Sequence, residues 1–306
     1  MTTIHAPEAA TTMREGDIDV DGGSLHYRLS GPATAAHTVV LENGWSGSFP
    51  YMHWLEQALA SQLRVLAYDR AGIGYSRSAT PPSVAGISRH FESLLSALGI
   101  DTPVIVAGHS YGGLIGVLHA VQAPARVRAL VQIDPTPDGD DALIDPSFKL
   151  VPAIARFMQL CALLGLDGPL SSTLARQLPA ETMARLRPGR RWMLRSLEGA
   201  IAEIGLLQAI RGVIATSPQR SRCPRLVISS APPETSPSWL QRRLGSPAKQ
   251  QRFQQAAQAQ HRLQAALHPD SLWTTQAYDH VGLIADRASA NEVAGRVFAF
   301  LQQMPS

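Results

Sequence analysis

The stretch that most constrains this chain is Pro103-Val104-Ile105-Val106-Ala107-Gly108-His109-Ser110-Tyr111-Gly112-Gly113. Val104 to Ala107 is an apolar, mostly β-branched run of strand length. Leu114, Ile115, Val117, Leu118 and Val121 then recur at helical spacing. Between them, Gly108-His109-Ser110-Tyr111-Gly112 has the pattern G-x-S-x-G, a serine on a sharp strand-to-helix turn. So tight a turn strains the backbone at its tip, and side chains two residues to either side would collide with it. The strain points the Ser110 hydroxyl out at the top of a sheet. It also sets the Tyr111 N–H at a helix N-terminus, where negative charge is favoured.

The totals agree with one α/β domain carrying an insertion. The chain has 306 residues, 45% of them hydrophobic and 17% charged, so a sizeable core is available. The formal net charge of +3 is spread over many arginines rather than gathered in a run, and no nucleic-acid partner is expected. Cys161 and Cys223 lie far apart without metal spacing, which suits a reducing compartment. Met1 to Gly16 lacks an apolar core of signal-peptide type and reads as a mobile tail, so the expected location is cytoplasmic. Phe148 to Leu166, the most apolar long stretch, is interrupted by Lys149, Pro152 and Arg156 and falls short of a membrane span.

Along the chain, strand-like and helix-like segments alternate. Ser24–Ser30 reads as an antiparallel strand. Thr38–Leu41 is a second, running into Glu42-Asn43-Gly44-Trp45-Ser46-Gly47. Arg64–Tyr68 is a third, followed by the glycine-rich loop Asp69–Ser76, in which Asp69 and Arg70 are expected to tie neighbouring turns together. That loop lacks G-x-x-x-x-G-K-[ST] and is no phosphate cradle. A helix over 84–98, the turn-and-helix unit above, and the apolar run Val127–Asp134 complete a pattern typical of a mainly parallel sheet with helices on both faces. From 136 to 216 there is no good strand, only helix-like apolar patches broken by proline and glycine. A segment of about 80 residues is too long to be structureless, and it is expected to be a helical cap over the active-site edge. The core is then 17–135 and 217–306. A strand over 225–230, a Gln- and Ala-rich helical region, a last strand over 271–278 and a final helix over 286–302 close the chain.

A serine hydroxyl needs a base within hydrogen-bond reach, and the base needs a third group to fix its tautomer. His280, in the turn after the last strand, is the histidine placed at the same sheet edge as Ser110. His5, His26, His37, His119 and His261 are set aside by position, and His109 is read as structural, turned away from the nucleophile. For the acid, Asp134 ends the strand after the unit built on the Ser110 turn, or elbow, and Glu234 follows the next strand. Both keep the order Ser, acid, His; Asp134 is favoured and Glu234 is the alternative. The loop after Thr38–Leu41 supplies a candidate second oxyanion donor in the N–H of Trp45, beside that of Tyr111.

Taken together, residues 39–48 (VVLENGWSGS), 68–76 (YDRAGIGYS), 108–113 (GHSYGG), 130–135 (LVQIDP) and the late His280 resemble the α/β-hydrolase superfamily. The resemblance covers roughly 18–135 and 220–303. It implies an eight-stranded, mostly parallel sheet with a helical cap between strands six and seven. It makes Ser110 the nucleophile, His280 the general base, and the N–H groups of Trp45 and Tyr111 the oxyanion hole. Asn43 and Gly44 stand where the family usually has His-Gly and are expected to border the substrate. The usual acid turn after strand seven is replaced by Ala231-Pro232-Pro233-Glu234, whereas Asp134 occupies the end of strand six, which some members use. A serine elbow argues against the dehalogenase and epoxide hydrolase branches, which use aspartate there. The expected activity is hydrolysis of an ester, thioester or lactone of a small, hydrophobic substrate without cofactor or metal. Alternatives are an acyltransferase or cyclase, a carbon–carbon bond hydrolase, and a ligand-binding receptor-like member of the fold.

Overall fold

The structure, a computed structural model, describes residues 12–139, 178–186, 189–231 and 247–304, with 153, 156–157, 159–160 and 163 between them. Its strands are β1 (Arg14–Val20), β2 (Gly23–Ser30), β3 (Thr38–Glu42), β4 (Arg64–Tyr68), β5 (Arg77–Ser78), β6 (Val104–His109), β7 (Val127–Ile133), β8 (Arg225–Ser230) and β9 (Leu272–Gln276). Eight of them run in the order β1-β2-β4-β3-β6-β7-β8-β9, with the two-residue β5 paired to β2. β1 and β2 are antiparallel to each other and β2 is antiparallel to β4; every pair from β4 to β9 is parallel. The expected architecture is present. The tail, however, ends earlier than expected: Arg14–Gly16 already pairs with Tyr27–Leu29.

The central strands are apolar on both faces because both are covered. Val40, Leu66, Val106 and Leu130 point to one layer, packed by α2 (Val84–Ala97), α3 (Tyr111–Gln122) and α6 (Leu207–Thr216). Their neighbours Val39, Leu41, Val65, Ile105, Ala107 and Val131 point to the other, packed by α1 (His53–Leu59), α8 (Gly282–Ala285) and α9 (Arg287–Gln303). Side-chain caps mark the starts of α2 and α9: Ser83 Oγ accepts from Gly86 N–H at 3.0 Å, and Asp286 Oδ1 from Ser289 N–H at 2.9 Å.

In the stretch expected to form the cap, α4 (Ala180–Arg185), α5 (Arg190–Ile204) and α6 are helical, and no strand occurs among the described residues there. α6 differs from an outlying lid helix, since it buries Leu207, Ile210 and Ile214 in the same layer as α3. The long helix α7 (Pro247–Ala265) lies against β8 and β9.

Parallel register brings five strand ends to one edge. Glu42 pairs with Gly108, His109 with Ile133, Ile133 with Ile228 and Ser230 with Gln276. The loops that follow therefore carry Asn43-Gly44-Trp45, Ser110, Asp134 and His280 to the same place.

Candidate active site

Ser110 stands between β6 and α3 with φ 53° and ψ −120°, a strained conformation for a residue with a side chain. The turn leaves room only for glycine two residues to either side. A Cβ on Gly108 would lie 2.2 Å from the Gly112 carbonyl oxygen, and one on Gly112 would lie 2.1 Å from that of Glu42. The Ser110 N–H donates to the Ile133 carbonyl at 3.0 Å, and the Ser110 carbonyl accepts from Gly113 and Thr136 at 3.0 and 2.9 Å. The turn is thus stitched to the end of β7, and Ser110 itself stays partly open to solvent.

Asp134 also has positive φ, 43°. Its Oδ2 accepts from His280 Nδ1 at 2.7 Å, and its Oδ1 accepts from the Ser230 N–H at 3.0 Å. Burial by itself would raise this carboxyl. The bond from His280, the charge that ring can carry and the Ser230 N–H outweigh burial and hold it well below the usual carboxylate range. With Nδ1 donating to a carboxylate, His280 Nε2 is left as the acceptor in the neutral ring. Glu234 lies outside the described residues.

His280 meets the elbow through His109, the chain neighbour of Ser110. His109 Nε2–H donates to the His280 carbonyl at 2.8 Å, and the two imidazoles lie 4.5 Å apart, tilted by 40°. His109 is therefore structural, as expected, a buried support of the His280 turn, although its ring lies against His280 rather than apart from it. No protein hydrogen bond joins His280 to Ser110 Oγ among the described residues. Serine–histidine pairs are often long before substrate binds.

Gly44 passes directly over the serine: a Cβ there would lie 3.5 Å from Ser110 Cβ and 3.2 Å from His109 Nδ1. Among the described residues, neither the Trp45 nor the Tyr111 backbone N–H donates to a backbone carbonyl. The Tyr111 ring is buried, its hydroxyl donating to the Glu203 carbonyl at 3.0 Å, while Trp45 Nε1 donates to the Ala200 carbonyl at 2.6 Å. Asn43 is buried with neither side-chain polar atom paired. Asp69 ties turns as expected, accepting from Ser48 Oγ and from the N–H groups of Phe49 and Tyr75.

Two groups escaped the sequence reading. His261, set aside for its position within a charged helix, is buried beside Asp134, 3.8 Å from its Oδ1. Its Nε2–H donates to the Pro135 carbonyl at 2.9 Å, which leaves Nδ1 to accept from Ser229 Oγ at 2.8 Å. Trp273 Nε1–H in turn donates to Ser229 Oγ at 2.9 Å. The second group is a buried charge cluster under the Asn43–Trp45 loop, in which Glu42, His119, Tyr68 and Glu203 gather around Arg70, itself tying turns as expected. Burial alone would raise the Glu42 carboxyl, but the His119 bond and the nearby Arg70 lower it. A small cleft of about 100 Å³ borders this cluster at Tyr68, Arg70 and Glu203 and does not include Ser110.

A profile of the alpha/beta hydrolase fold family matches residues 37–198. The chain belongs to the α/β-hydrolase family. Among curated proteins, RutD of Azorhizobium caulinodans, named as a candidate carbamate hydrolase, is 35% identical over 120 residues, 39% of this chain and 42% of that protein. The match thus spans under half of the relative's length. Among solved structures, a hydrolase from Pseudomonas aeruginosa superposes with a TM-score of 0.63 at 22% identity, covering 94% of this chain and 98% of the other. An enol-lactonase from Burkholderia xenovorans does so with 0.60 at 21%, covering 94% and 100%. At these identities the two structures attest the fold.

Proposed function

We propose that this α/β-hydrolase-fold protein is a serine hydrolase acting on a small ester, thioester or lactone with an apolar acyl part. The observation that carries the reading is the 2.7 Å hydrogen bond from His280 to Asp134 at the sheet edge where Ser110 sits on its strained turn. In this reading Ser110 Oγ attacks the substrate carbonyl carbon and passes its proton to His280 Nε2. Asp134 holds the imidazole in the right tautomer and stabilises the imidazolium. The carbonyl oxygen, now anionic, is met by the N–H groups of Trp45 and Tyr111. His280 returns the proton to the leaving oxygen or sulfur, the acyl-enzyme forms, and a water deprotonated by His280 releases the acid. Asn43 and Gly44 border the substrate. Carbamates, the class in the RutD name, present the same kind of carbonyl and belong in the same screen.

The test joins labelling to turnover. A fluorophosphonate probe should label the wild type on Ser110, and Ser110→Ala should abolish both labelling and hydrolysis of p-nitrophenyl esters. Asp134→Asn should lower kcat by up to about 10⁴-fold, and Glu234→Gln should leave it nearly unchanged. An active wild-type protein that never reacts with the probe would remove the serine mechanism. A severe loss in Glu234→Gln alone would reassign the acid.

A further inference from the structure

Arg70 is buried, and each of its five N–H groups has an acceptor. Nη1 donates to Glu42 Oε2 at 3.2 Å and to the Asn43 carbonyl at 2.7 Å. Nη2 donates to the Gly44 carbonyl at 3.1 Å and to Glu203 Oε2 at 2.9 Å, and Nε donates to Glu203 Oε1. A guanidinium forked on a carboxylate in this way has little freedom left.

Two of those five bonds go to the loop that passes over Ser110. The peptide between Gly44 and Trp45 is planar and trans, as no cis bond occurs among the described residues. Its C=O and N–H therefore point in opposite directions. With the Gly44 oxygen drawn toward Arg70, the Trp45 N–H is turned away from Arg70. The Asn43 carbonyl is fixed by the same side chain, and the Gly44 carbonyl also accepts from the Gly47 N–H at 3.1 Å, so the guanidinium holds the first of two successive peptide planes and shares the second with that turn. The far side of that guanidinium is held by Glu203, which belongs to α5 and not to the core sheet. α5 meets the same loop again through Ala200, whose carbonyl accepts from the Trp45 indole.

We propose that Arg70 is a positioning residue for the oxyanion-binding loop, orienting the Trp45 N–H through the Asn43 and Gly44 carbonyls, and that Glu203 makes helix α5 part of that support. This rests on the serine-hydrolase reading given above. A donor aimed in advance stabilises the anionic intermediate more than the neutral substrate, so loosening the loop costs turnover rather than binding.

Arg70→Ala would strand two buried carboxylates, so the test uses Arg70→Lys and Glu203→Gln. Lysine keeps the charge but cannot fork onto two carbonyls and a carboxylate. Steady-state hydrolysis of a p-nitrophenyl ester is measured well below each variant's melting temperature, together with the rate of fluorophosphonate labelling. Arg70→Lys should lower kcat about 10²-fold, the worth of one oxyanion donor, with KM changed less than about threefold and labelling slowed in parallel. Glu203→Gln should show the same split with a smaller fall. Arg70→Lys with kcat within twofold of wild type, or a loss carried entirely by KM, overturns the proposal. Ser110→Ala, run alongside, separates the two readings. If it retains turnover, the hydrolase reading fails and this one with it. If it is dead while Arg70→Lys is unimpaired, only the positioning role of Arg70 fails.

Discussion

His109 is a histidine that the fold keeps neutral. Burial first, then the charge that His280 can carry, push its ring down to about 3 from an ordinary 6.5. Between those values the unfolded chain holds a proton on residue 109 that the folded chain excludes. Acidification across that window therefore costs stability. Asp69 works in the opposite sense. Burial raises its carboxyl to about 6 from 3.8 against the pull of its three hydrogen bonds, so the folded chain keeps a proton that the unfolded chain releases, and acidification gains stability there. The net curve mixes both groups, but a variant isolates one. His109→Gln removes the titrating ring and keeps an N–H donor. It should lose less stability than wild type between pH 7 and about pH 4.5. Melting temperatures taken across that range check it: a gap between the two proteins that does not narrow with acid means that His109 is not held neutral.

Helix α5 packs on the loop after β4 with no room to spare. A Cβ on Gly199 would lie 2.4 Å from the Gly72 carbonyl oxygen and 3.1 Å from Ile73 Cδ1. Gly199→Ala should therefore cost about 1–3 kcal/mol by pushing the helix outward. Gly212, inside α6, has no atom within 4 Å of such a Cβ. Gly212→Ala should raise stability by about 0.5–1 kcal/mol through helix propensity alone. Denaturant titration of the pair distinguishes close approach from propensity, since both changes are Gly to Ala within a helix. The elements themselves were largely legible from period. β6, its turn and α3 are marked by an apolar run, a glycine-bracketed serine and helical spacing, and all three form where expected. β1 was missed over its whole length because an edge strand buries little: only Gly16, Ile18 and Val20 face inward, among residues that look polar and tail-like.

At the scale of the whole molecule, what the sequence concealed is contact across distance. Asp134 and His280 are 146 positions apart and were still paired in expectation, because each follows a strand whose end the fold must bring to one edge. Glu203 and His261 had no such marker. Glu203 sits on a helix whose orientation no local pattern sets, 133 positions from Arg70. His261 follows a segment of unmarked length and meets the Pro135 carbonyl 126 positions away. The same long-range bonds decide how the stretch expected as a cap behaves. Ser196 Oγ accepts from the Gly74 N–H, Arg195 Nη2 donates to the Gly74 carbonyl, and Ala200 and Glu203 hold Trp45, Arg70 and Tyr111. α6 adds three buried side chains to the α3 layer. A helix bound in this way has no separate surface on which to open, so α5 and α6 should unfold only with the core. Hydrogen exchange read by peptide should then place 196–204 and 207–214 in the same slow class as 104–109. Exchange of 196–204 faster by orders of magnitude would mean that α5 detaches alone, leaving Arg70 to hold the loop over Ser110 without its carboxylate.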